Sequence, residues 1–123
     1  MMNFREELNK IKEEKQTVKS GYEKAITNIL NQILAYFREK DENELSDATE
    51  IFFGKDAHNR VYGRVYICDQ LDRTANFVVS TESKEEALLV LTLLEQKYKD
   101  EKFVLLPGIS VSRDGCFSVI IKV

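Results

Sequence analysis

The chain has 123 residues, with 18 Lys or Arg against 21 Asp or Glu and a formal net charge of −3. A chain of that size forms one domain, or one with an appended helical arm, and needs neither a disulfide nor a metal to hold it. At 43% hydrophobic residues, 1 Pro and 5 Gly it is neither disordered nor collagen-like, and its acidic balance opposes a dedicated nucleic-acid binder, whose affinity rests on counterion release.

The first forty residues read as helix. Phe4, Leu8, Ile11, Val18, Tyr22, Ala25, Ile29, Ile33 and Phe37 recur at spacings of three, four or seven, one stripe on a 3.6-residue repeat. The start, MMNFREELNKIKEE, has no apolar signal core, and no stretch reaches the ~18 apolar residues of a membrane span, so a cytoplasmic protein without a membrane partner is expected. Gly in a helix interior is unfavourable, which predicts a kink or a break near Ser20-Gly21. As a heptad the stripe includes Lys15 and Ala25, a poor zipper seam, yet residues 22–37 carry more apolar surface than one small sheet face requires. The helix 22–38 is therefore expected to cover the second face of a sheet or to form a homodimer through the N-terminal helices.

Residues 1–40 thus form a helical arm and 41–49 an acidic linker, with a short turn around Leu45-Ser46-Asp47. The run Asp41, Glu42, Glu44, Asp47, Glu50 contains no base and could imitate a phosphate backbone, although a solvated linker is the simpler reading.

From residue 50 to the end the pattern is an α+β sheet domain. Glu50–Phe53 is a short apolar strand, residues 54–59 have turn composition, Arg60–Asp69 alternates cleanly, and Thr74–Ser80 is a third strand. Ser83 with Glu86 is a capping box, so a helix runs from about Lys84 to Tyr98, with Ala87, Leu88, Leu91, Leu94 and Tyr98 as its buried stripe. Lys102–Leu106 is apolar on both faces. Pro107-Gly108 turns the chain, and Asp114-Gly115 predicts a two-residue hairpin between Ile109–Arg113 and Cys116–Lys122. The expected fold is α+β: a long N-terminal helical segment, then an antiparallel sheet, ββ(β)-α-βββ, with one helix packed on a face.

Strand 60–68 carries the best candidate site. Val61, Gly63, Val65 and Ile67 share one face; Arg60, Tyr62, Arg64, Tyr66 and Cys68 share the other. Two guanidinium groups interleaved with two phenols form a ladder that can pair with carboxylates or phosphates and stack on planar groups. Arg73 and Arg113 join it if their strands are adjacent. The competing reading is an ordinary solvated sheet face.

Catalysis has little support. His58, the single histidine, lies beside Asp56 in a turn, with no nucleophile at a recognisable spacing. Cys68 and Cys116 lack C-x-x-C spacing and a His partner, and read as reduced, buried side chains; no cofactor or metal is implied. The expectation is a small non-enzymatic interaction protein, an accessory, inhibitor or adaptor, that binds a protein partner. Its size and high Lys and Glu content would suit a phage or mobile-element product. The alternative is a nucleotide- or small-anion-binding module using the Arg/Tyr face.

Overall fold

The computed structural model describes residues 3–107 and 115–121, and their side chains except those of 13–21 and 107. The order is α1 (Phe4–Arg38), α2 (Glu42–Asp47), β1 (Ala48–Lys55), β2 (Arg60–Ile67), β3 (Gln70–Leu71), β4 (Phe77–Ser80), α3 (Lys84–Asp100), β5 (Val104–Pro107) and β6 (Phe117–Ile120). The α+β class and the antiparallel sheet are as expected.

α1 begins at Asn3, whose side chain accepts the Glu6 N–H at 2.9 Å, with Glu6 and Glu7 against the positive end of the helix dipole. It runs through Ser20-Gly21 as one helix, so no break occurs there. The segment expected as a linker is a capped helix. Asp41 accepts the Glu44 N–H at 2.8 Å, and Glu42 and Glu44 lie in the first turn of α2. Its acids thereby stabilise a helix start, and β1 begins directly after it.

The sheet has the order β3-β2-β1-β6-β5, with β4 also on β2, and every pairing is antiparallel. Strand alternation sends Ile51, Phe53, Val61, Val65, Phe77, Val79, Phe117 and Val119 to one face, where all are buried. Phe53 and Phe117 stack there at 5.2 Å, and Phe53 and Phe77 press against Gly63. α3 covers this face with Ala87, Val90, Leu91, Leu94 and Tyr98. Leu88 is only partly buried and Val90 takes the place expected for it. Ser83 accepts the Glu86 N–H at 3.1 Å, but Glu86 returns its bond to the Glu82 N–H, one residue before the cap.

One expectation fails. The second half of α1 does not cover the opposite face: Ile29 and Ile33 join the same core as α3. The broad apolar surface of 22–37 is used twice, against the sheet and against α3, so one face takes both helices. β6, the second strand of the expected hairpin, is paired on both sides. Its two edges are taken by β1 and β5, with Leu106 opposite Ser118 and Pro107 opposite Phe117. Residues 108–114, and with them Arg113 and the Asp114 half of the expected tight turn, lie outside the described residues.

Candidate interaction face

Among the described residues, neither α1 nor α3 packs on the opposite sheet face. On β2 it presents Arg60, Tyr62, Arg64 and Tyr66, while Val61, Gly63 and Val65 are buried beneath, as the alternation requires. Pairing extends the ladder sideways, because directly opposed residues share a face. Arg64 is followed across the sheet by Phe52, Ser118 and Leu106. Tyr66 is followed by Glu50, Ile120 and Val104. Val104 is 63% and Leu106 48% exposed, so the β5 side is apolar and open.

The aromatic centre is shaped by Gly54. A Cβ there would stand 2.9 Å from the Tyr62 hydroxyl and 3.2 Å from the Phe52 ring, so only glycine lets Tyr62 lie across β1. The Phe52 and Tyr62 rings are 6.1 Å apart, and the Arg64 guanidinium lies over Tyr62 at 4.8 Å from its centroid. This geometry seats a cation over one aromatic ring with a second, tilted ring beside it.

The two arginines differ. Arg60 Nε donates to Asp56 Oδ2 at 2.7 Å, and Asp56 Oδ1 accepts the backbone N–H groups of Arg60 (3.0 Å) and His58 (2.9 Å). These bonds, the Arg60 backbone N–H foremost, hold the Asp56 carboxyl below its ordinary range. Asp56 is thus the hinge of an Asx turn and neutralises Arg60; it meets His58 through the backbone, not as an imidazole–carboxylate pair. Arg64 is exposed and its described partner is the Tyr62 ring. A shallow depression of about 440 Å³ runs past Asp56, Arg60, Tyr62, Arg64, Asn76 and Val78. Arg73 is exposed on the loop after β3 and does not line it. Cys68, expected to be buried, is exposed in the turn after β2 with φ 51°, where its side chain leaves the ladder. Cys116 is buried, and neither cysteine forms a disulfide among the described residues.

Both sheet edges are blunted. At β4, the Gln32 side chain of α1 takes the Val78 backbone. At β5, the bond from Ile121 N–H to Thr49 O (3.0 Å) sets which residues of β6 face β1. Alternation then turns Ile120 and Ser118 toward β5 and leaves the Leu105 backbone on the free edge. Beside it Pro107 has no N–H, and the Phe103 N–H is given to Tyr98 O at 3.0 Å.

A second polar cluster was not legible in the sequence. Tyr36 of α1 donates its hydroxyl to Asp72, which also accepts the Thr74 N–H (3.0 Å) and hydroxyl (2.7 Å). Lys40 Nζ stands 3.4 Å from Asp72, 3.3 Å from Glu44 and 4.8 Å from the Tyr36 centroid. Burial, then the bond to Asp72, pushes the Tyr36 hydroxyl up to about 12. The hydroxyl of Tyr36, then Thr74, holds the Asp72 carboxyl well below the usual carboxylate range. The cluster fastens the end of α1 to the β3–β4 loop.

A concavity of about 750 Å³ runs openly along α1, lined by Thr27, Asn28, Asn31 and Gln32 between Glu23 and Lys24, away from both clusters. Among the described residues no three His, Cys, Asp or Glu side chains converge as metal ligands, and no helix is long and apolar enough to cross a membrane. No protein-family model, curated protein or solved structure matches the chain.

Proposed function

We propose that this chain is a non-enzymatic interaction protein, an adaptor or inhibitor, that takes a protein partner on its outer sheet face. The observation that carries this is the face itself: Phe52, Tyr62 and Tyr66 with the exposed Arg64 at its centre, and open Val104 and Leu106 toward β5, with no helix over them. Tyr and Arg are the side chains most often found as interface anchors, and an apolar surface ringed by charge is the usual form of such a site. Blunt edges favour docking on the face over strand addition. The partner surface that fits is apolar with a carboxylate for Arg64.

The small-anion reading is less favoured, because Asp56 already neutralises Arg60. We also propose reduced thiols in a cytoplasmic setting and self-association through the N-terminal helix, whose described side chains from Asn3 to Lys12 are all exposed.

Capture from a host lysate at physiological salt tests the reading. The wild-type chain should retain a partner that Arg64→Glu and Tyr66→Ala lose without a change in melting temperature. Capture that is absent, or equal in all three, would remove it. A nucleotide that raises the melting temperature of the wild type but not of Arg64→Ala would favour the alternative.

A further inference from the structure

The first turns of α1 carry an apolar stripe that is exposed among the described residues. Phe4 is 79%, Leu8 39% and Ile11 47% exposed, whereas Tyr22 and the residues after it pack against the core. The described side chains of residues 4–12 are all exposed, a stretch of about 14 Å at 1.5 Å per residue.

The charges beside this stripe are sorted by side. With Phe4 and Ile11 at d and Leu8 at a, Glu7 falls at g and Arg5 and Lys12 at e. One heptad on, the sequence repeats the arrangement with Glu14 at g and Lys19 at e. Acids therefore occupy one flank and bases the other.

From this pattern we infer that residues 4–21 pair with the same residues of a second copy as a parallel, in-register, two-stranded coiled coil. In that arrangement a g residue faces the e residue of the next heptad on the other helix. Glu7 then meets the partner's Lys12, and twofold symmetry makes the contact twice. An antiparallel pair would set g against g and e against e, acid on acid and base on base. Lys15, which weakens the seam, stands at a, where a single polar residue selects two strands over three or four. Parallel pairing puts both bodies at the same end of the coil, so two copies of the sheet face are presented together and can bind a repeated partner bivalently.

The inference rests on the proposed self-association and is tested on the full chain by sedimentation and light scattering across the micromolar range. The wild type should be a dimer. Glu7→Lys should raise its dissociation constant about tenfold at low salt, since two attractive pairs become repulsive. Glu7→Lys with Lys12→Glu in one chain should restore it, and so should an equimolar mixture of the two single variants. In a Cys68→Ala background, Leu8→Cys should give an interchain disulfide between matching positions. A monomeric wild type would overturn self-association and the coil together. A dimer indifferent to Glu7→Lys, or lacking the Leu8→Cys cross-link, would overturn the coil alone. Neither result touches the sheet-face reading.

Discussion

The side-chain amide of Gln32 pairs with both backbone groups of Val78: its Nε2 donates to the carbonyl at 3.0 Å and its Oε1 accepts the N–H at 3.2 Å. One side chain of α1 thereby does what a further strand would do at the edge of β4. Asn28 Oδ1 accepts from the same Nε2 at 2.7 Å, which fixes the amide orientation. Gln32→Ala leaves a half-buried donor and acceptor unpaired and should destabilise by about 1–2 kcal/mol. Urea unfolding measures this, and hydrogen exchange at the Val78 amide should accelerate. Because the freed edge can template pairing, the variant should also aggregate sooner at high concentration.

Tyr36 and Asp72 make stability depend on pH at both ends. The Asp72 carboxyl is depressed by the fold, so its stabilisation is present above the unfolded value of about 4 and is lost as pH falls below it. The Tyr36 hydroxyl is raised, so its stabilisation is present below about 10 and is lost as pH climbs toward about 12. Tyr36→Phe should flatten both limbs of a stability–pH curve relative to the wild type. Asp72→Asn should lower stability by about 2 kcal/mol near pH 7, the scale of a hydrogen bond to a charged group.

Gly63 is where the core reaches through the ladder strand. A Cβ there would sit 3.3 Å from Phe53 and 3.4 Å from Phe77. Both rings are buried and hemmed in, so Gly63→Val should overpack the core and destabilise by about 1–3 kcal/mol or more. A thermal melt compared with Val65→Ala, which empties space on the same face, separates crowding from lost volume: both should fall, the second by about 2–3 kcal/mol.

Gly54 answers to the other face. Gly54→Ala meets the hydroxyl end of the Tyr62 side chain rather than backbone, so stability should change by less than about 1 kcal/mol. The Tyr62 ring should leave β1 and the Arg64 guanidinium should lose its seat, read as a changed near-ultraviolet aromatic signal. Partner capture should weaken in step.

Local chemistry made much of this chain readable in advance. The period-two alternation of residues 60–67 assigned Val61, Gly63 and Val65 to the core and Arg60, Tyr62, Arg64 and Tyr66 to the far face, because strand geometry leaves no other choice once one side is buried. The Ser83 cap and the 3.6-residue stripes of α1 and α3 are equally local, since each bond or contact spans only a few residues. Two structural contacts stayed hidden for the opposite reason. Gln32 and Val78 lie 46 residues apart, and Tyr36 and Asp72 lie 36 apart, and neither pair has a spacing signal.

The choice of strands beside β6 was hidden in a related way: β1 and β5 occupy its two edges, and nothing local to β6 names β1, which lies more than sixty residues earlier, as a neighbour. The placement of α1 was likewise beyond any pattern within α1. Its apolar stripe says that something must cover it, while the choice between the two sheet faces belongs to β2, whose Arg and Tyr side refuses a helix, and to α3, which leaves room beside itself on the other side. Periodicity is a property of neighbours along the chain, so it settles which residues turn inward. Which surfaces meet depends on the free energy of packing elements far apart in sequence, and that fell to the folded arrangement: two helices on one face, and a bare Arg/Tyr face on the other.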